Sequence, residues 1–99
     1  MFVHLVYFWL KPGTPEVAGK QLLEDCTALL AKVPGVEHLW AGRPAMTPRE
    51  VVDNSYDVGV CVVLKDAAAH DAYQVHALHK EFLARNKAYW LRVQVYDFK

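Results

Sequence analysis

The residues best suited to chemistry lie close together in the second half of the chain. Residues 66–84 contain three of the five histidines together with Tyr73. Residues three or four positions apart share one face of a helix, so we expect Tyr73 beside His76, and His76 beside His79. Imidazole changes its charge near neutral pH and therefore suits proton transfer. The spacing indicates a phenol and two imidazoles on one helical face.

Proton transfer next to a carbonyl group is the chemistry that these side chains can support. A neutral imidazole can take a proton from a carbon flanked by carbonyls, while the Tyr73 hydroxyl donates a hydrogen bond to the oxygen that becomes an enolate. These steps require no metal and no cofactor, and we predict neither. From the alternation of apolar residues, the wall of a pocket for an apolar or aromatic carbonyl ligand is predicted to contain Val6, Phe8, Trp40, Leu78 and Phe82.

Other interpretations of the same residues stay open. Histidines on short helices commonly serve as packing or hydrogen-bonding residues. A metal site from His70, His76 and His79 is a weaker alternative, because His70 lies two turns away and no cysteine or acid pair completes a tetrahedron. Cys26 and Cys61 fall in core-like periodic positions without CxxC spacing, which indicates free, buried thiols and a reducing cytoplasm rather than a nucleophile.

Length and composition limit the kind of protein. Ninety-nine residues predict a single domain over residues 1–99. The hydrophobic content is 54%, above the roughly 45–50% of ordinary domains, so we expect apolar surface that another subunit covers. The net charge is zero and the lysines and arginines do not cluster, so we expect no nucleic-acid partner. The apolar N-terminal run is too short to span a membrane and is predicted to be a strand.

The elements that must position the chemistry follow from periodicity and turn signals. The first strand is apolar at both odd and even positions, which predicts that both of its faces are buried. In the first helix, apolar residues recur every three or four positions, which predicts an amphipathic helix. Asp66 is the predicted cap of the second helix, which should break near residues 75–77. The predicted strands are 2–10, 36–42, 56–64 and 91–98, with helices over 15–32 and 67–86. The order βαββαβ predicts an α+β, ferredoxin-like fold with a four-stranded antiparallel sheet and both helices on one face.

Several segments together resemble the stress-responsive dimeric α/β-barrel (Dabb) family. They are the first strand and its turn at residues 4–13, the turn at 33–36, the strand start Tyr56-Asp57, and Tyr73-x-x-His76-x-x-His79. The last motif is the most specific, and the resemblance covers nearly the whole chain. The family usually has proline after the first of these histidines, where this chain has Ala77. A proline would force a helix break, so the sequence predicts a softer bend that affects the position of His79.

The resemblance implies a homodimer whose two sheets close into a barrel, with a pocket between each sheet and its own helices. In a plant branch of polyketide cyclases, the acid–base couple corresponds to Tyr73 and His79, the candidate catalytic residues, and His4 matches a pocket-lining histidine. His4 and His76 therefore join the candidate substrate-binding residues. The implied function is a cofactor-independent cyclase or isomerase acting on a small carbonyl or polyketide-like compound. The alternatives are a non-catalytic, stress-related ligand-binding dimer and a cofactor-free monooxygenase, because the fold alone does not fix the reaction.

Overall fold

The computed structural model describes residues 1–99 and contains four strands and three helices. In chain order they are β1 (Phe2–Leu10), α1 (Glu16–Ala28), β2 (Val36–Gly42), β3 (Val58–Leu64), α2 (Ala67–Val75), α3 (Ala77–Asn86) and β4 (Trp90–Phe98). Short 3₁₀ turns follow α1 at Leu30–Lys32 and α3 at Lys87–Tyr89. The longest helix has 13 residues, and none of the three combines the length and the apolar character needed to cross a bilayer.

The strands form one antiparallel sheet in the order β2-β3-β1-β4. With the helices between them, this is the predicted ferredoxin-like α+β fold. One boundary differs by several residues, because α1 ends at Ala28 and not near residue 32. Val33 precedes a proline and adopts an extended conformation with ψ 129°, so the chain must leave the α-helix beforehand. The last strand also begins one residue earlier than predicted, at Trp90.

The two faces of the sheet have different surroundings. On the inner face, alternate residues of β1 and β3 pack against the helices and form the core with Leu22, Cys26, Leu30, Val33, Tyr73 and Phe82. On the outer face, Leu5 and Tyr7 of β1 pair with Tyr96 and Gln94 of β4. No helix covers this outer face, and Trp40, Tyr96 and Phe98 are more than half exposed on it.

The predicted break in the second helical segment is confirmed, although no proline enforces it. The Asp66 carboxylate accepts a hydrogen bond of 2.8 Å from the Ala69 N–H and caps α2, as predicted. At His76 the backbone is extended, with φ −68° and ψ 148°. The His76 imidazole then accepts a hydrogen bond of 3.0 Å from the Leu78 N–H and caps α3. The His76 cap therefore stabilises the bend that places His79.

Candidate active site

A cavity of about 230 Å³ lies between the inner face of the sheet and the helices, next to the edge strand β4. Val93 and Val95 of β4 face this cavity and are about 40% exposed, because no helix covers the edge strand. The wall is mainly apolar and also contains polar and ionisable side chains. The lining residues are His4, Val6, Phe8, Leu30, Val60, His70, Tyr73, Gln74, His79, Phe82, Leu83, Trp90, Val93, Val95 and Asp97.

Tyr73 and His79 meet in the wall of this cavity. Their ring centroids are 5.0 Å apart and the ring planes are inclined by 70°, an edge-on contact across the bend between α2 and α3. Tyr73 is buried, and His79 Nδ1 is buried without a hydrogen-bond partner within the chain. Most buried polar atoms in proteins are paired, so an unpaired imidazole nitrogen beside a cavity is a feature that packing does not explain.

The electrostatic environment keeps both side chains neutral near pH 7. Burial lowers the pKa of His79, and the nearby His4 and His70 lower it further. Burial also raises the pKa of the Tyr73 phenol above its usual range, with a smaller contribution from Cys26. The site therefore offers a neutral imidazole, which can accept a proton, and a protonated phenol, which can donate a hydrogen bond.

A second polar group lines the same cavity. His4 is buried on β1, and its Nδ1–H donates a hydrogen bond of 2.5 Å to Asp97 Oδ1 on β4. His70 Nε2 on α2 lies 3.9 Å from Asp97 Oδ2. The rings of His4 and Tyr73 are also near each other, with centroids 5.8 Å apart. Burial lowers the pKa of His4, while the hydrogen bond to Asp97 acts in the opposite direction.

The structure gathers most of the predicted site residues but not all of them. His4, Val6, Phe8 and Phe82 line the cavity together with Tyr73 and His79. Whether these residues bind a substrate stays a prediction.

Three of the predicted substrate-binding residues, Trp40, His76 and Leu78, do not line this cavity. Trp40 lies on the outer face of the sheet, 60% exposed and stacked on His38, because Leu39 and Ala41 are the β2 residues that face the core. His76 caps α3, and Leu78 packs against the hydrophobic core instead of the cavity. Both corrections follow from the bend at His76, which ends the regular helical spacing.

Two residues that line the cavity, Trp90 and Asp97, are not among the site residues predicted from the sequence. Trp90 packs against both Phe8 and Phe82, with ring centroids 4.6 and 5.9 Å away, and its Nε1 is buried without a hydrogen-bond partner within the chain. Asp97 interrupts an alternating apolar strand, and the antiparallel register pairs it with His4. The sequence does contain one signal for Asp97: it is a charged residue in the series Val93, Val95, Asp97, whose other members are apolar and face the cavity.

The fold is shared with solved structures of low sequence identity. A dimeric ferredoxin-like protein from Thermobifida fusca is 20% identical, with a TM-score of 0.82 over 98% of this chain and 88% of that chain. A Dabb family protein from Mesorhizobium loti is 25% identical, with a TM-score of 0.79 over 99% and 94%. Hydroxynitrile lyase from Passiflora edulis is 13% identical, with a TM-score of 0.80 over 98% and 90%.

The family assignment rests on the sequence. A comparison with curated proteins finds no match. The sequence model of the stress responsive A/B barrel domain, Dabb, matches residues 2–99, nearly the whole chain. The protein therefore belongs to the Dabb family.

Proposed function

We propose that the protein is a homodimeric enzyme that performs acid–base chemistry on a small carbonyl compound, as a cyclase or isomerase. One observation carries the proposal: the unpaired, buried His79 Nδ1 lies beside a protonated Tyr73 in the wall of an apolar cavity. A purely structural histidine would normally have its ring nitrogens paired. Passiflora edulis hydroxynitrile lyase gives an example of an enzyme with this fold.

The two residues have complementary roles in the proposed reaction. Neutral His79 takes a proton from a carbon next to a carbonyl, and the electron pair of that C–H bond moves into the enolate. The Tyr73 hydroxyl donates a hydrogen bond to the enolate oxygen, where the negative charge develops. Protonated His79 then returns the proton at another carbon, or to the alkoxide that forms when the enolate attacks a second carbonyl. The first route is an isomerisation and the second a cyclising aldol addition.

The cavity limits the size and polarity of the substrate. Its volume of about 230 Å³ is below the roughly 300–1,000 Å³ of pockets for drug-sized ligands. Val6, Phe8, Phe82 and Trp90 surround it with aliphatic and aromatic surface. A compact aromatic or polyketide-like carbonyl compound fits these walls, and an extended tail could leave past the exposed side chains of Val93 and Val95.

A proton-exchange assay tests this proposal without knowledge of the natural substrate. The probe is a phenyl-substituted 1,3-diketone in deuterated buffer, and the readout is loss of the proton signal between its two carbonyls. We expect the parent protein to accelerate exchange. Tyr73→Phe and His79→Gln should each slow it by about 10²–10⁴-fold, the usual contribution of general acid–base groups. The matched control is Tyr89→Phe, which alters a tyrosine outside the cavity.

Other outcomes would favour the alternative functions. A parent protein that binds the diketone but exchanges its proton no faster than buffer would support a non-catalytic ligand-binding dimer. Turnover that consumes oxygen would support a monooxygenase. Equal loss of exchange in Tyr89→Phe and Tyr73→Phe would refute the assignment of Tyr73.

The proposed dimer would use the outer face of the sheet. This face carries the exposed aromatic residues Trp40, Tyr96 and Phe98, and a second cavity of about 350 Å³ opens on it between Trp9 and Tyr56. Apolar surface of this kind on a small protein usually marks an interface. Dimeric solved structures of the same fold, such as the Thermobifida fusca protein, also support this arrangement. Burial of the outer face would leave the cavity with Tyr73 and His79 on the opposite side of each sheet.

A further inference from the structure

We propose that His4, His70 and Asp97 form a binding site for a divalent transition-metal ion such as Zn²⁺. The three side chains come from β1, α2 and β4, and each offers a ligand atom within 4.8 Å of the other two. All three line the cavity that also contains Tyr73 and His79. The inference goes beyond the proposed acid–base reaction and does not depend on it.

The distances are close to those that a metal ion needs. With bonds of roughly 2.0–2.2 Å, the ligand atoms around a tetrahedral zinc ion lie about 3.3 Å apart. His4 Nδ1 is 2.5 Å from Asp97 Oδ1, and His70 Nε2 is 3.9 Å from Asp97 Oδ2. One separation is shorter and the other longer than required, and the ligand atoms of His4 and His70 lie within 4.8 Å of each other, so the side chains would rotate to bind one ion. The ion would replace the proton that His4 and Asp97 now share in their hydrogen bond.

The ligand set determines which ions the site would accept. Two imidazoles and one carboxylate suit zinc, cobalt, nickel and iron(II) better than magnesium or calcium, which prefer oxygen ligands. Three protein ligands also leave at least one coordination position free. Because all three residues line the cavity, a ligand oxygen in the cavity can occupy that position, and the ion can polarise a carbonyl group there.

The surroundings hold the ligands in place before any ion arrives. His4 is buried in the central strand β1. The His70 ring stacks on Phe2, with centroids 4.3 Å apart. A bound ion would replace the 3.0 Å contact between His70 Nε2 and the Gln74 side-chain amide. Burial of His4 and stacking of His70 on Phe2 restrict the rotamers of both imidazoles, which favours a preorganised site. This proposed site is not the metal site that the sequence offered as an alternative. That alternative includes His76, which caps α3 and does not line the cavity.

A metal titration in the absence of substrate tests the proposal. Zn²⁺ is added to the protein without a histidine tag and followed by calorimetry, and Co²⁺ is followed by its visible absorption. We expect one ion per protomer. His70→Gln and Asp97→Asn should each weaken binding by at least about tenfold, since even the loss of outer-shell partners has effects of this size. The matched control His38→Gln, on the outer face, should bind like the parent.

Three results would overturn the proposal: no stoichiometric binding, unchanged binding in both His70→Gln and Asp97→Asn, or loss of binding in His38→Gln. X-ray absorption of the parent protein with one equivalent of Zn²⁺ avoids any folding defect in the variants. Its expected first shell is two imidazole nitrogens plus oxygen, and a shell containing sulfur or only one imidazole would refute the assignment. Because no substrate is used, failure here leaves the diketone exchange assay of Tyr73 and His79 unaffected.

Discussion

Replacement of His79 by leucine should stabilise the protein, whereas the same replacement of His76 should destabilise it. His79 Nδ1 is buried without a partner, and an unpaired buried polar atom costs about 1–3 kcal/mol. Leucine retains apolar contact and removes that polar atom. The His79 side chain as a whole is only partly buried. We therefore use the lower end of that energy range and expect His79→Leu to raise the free energy of unfolding by about 1 kcal/mol. His76→Leu removes the cap on the Leu78 N–H, which should cost about 1 kcal/mol.

Thermal unfolding at pH 8 and one fixed protomer concentration measures this difference, because the stability of the proposed dimer would depend on concentration. At pH 8 the His79 imidazole is neutral, because burial lowers its pKa below the ordinary 6.5. For a chain of this size, 1 kcal/mol shifts the midpoint by about 4–8 °C. The His79→Leu midpoint should therefore rise by several degrees and the His76→Leu midpoint should fall. A fall of several degrees for His79→Leu would show that His79 makes a stabilising contact, and it would refute the reasoning that its nitrogen is kept for function.

Three other predictions follow from the same structure. Burial lowers the pKa of His4 and His79 below the ordinary 6.5. As the pH falls, these histidines therefore become protonated in the unfolded chain at a higher pH than in the folded protein. Urea unfolding should show a free energy of unfolding that decreases as the pH falls below 6.5. Stability that stays constant from pH 8 to pH 5 would contradict this. Asp25→Ala should lower the free energy of unfolding by about 2 kcal/mol, because it leaves the buried Asn86 amide without one acceptor. The exposed Asp53→Ala is the control, and an equal effect would refute the argument. If the proposed dimer forms through the outer face, Tyr96→Arg should shift sedimentation from dimer to monomer, and an unchanged dimer would place the interface elsewhere.

The fold could be predicted from the sequence because its signals are local and repeated. Alternation along residues 58–64 is reproduced in the structure as a strict alternation of buried and half-buried residues. Turn residues mark the ends of most elements, and Asp66 caps α2 as its position before the alanines predicted. The ends of elements were less predictable, since the 3₁₀ turn after α1 depends on how the chain approaches Pro34. Trp40 was predicted in the cavity wall but lies on the outer face of β2, because alternation shows two faces without showing which one the helices cover.

The pairing of His4 with Asp97 in the cavity wall could not be predicted in the same way, because it depends on contact between distant parts of the chain. Tyr73 and His79 are six residues apart, so a local motif could predict their association. His4 and Asp97 are 93 residues apart in sequence and meet only because β1 and β4 are neighbours in the sheet with His4 opposite Asp97. A shift of one residue in that register would turn Asp97 to the outer face and leave buried His4 without its acceptor. The pairing of β1 with β4 therefore controls the positions of His4 and Asp97, while the bend at His76 controls the positions of Tyr73 and His79.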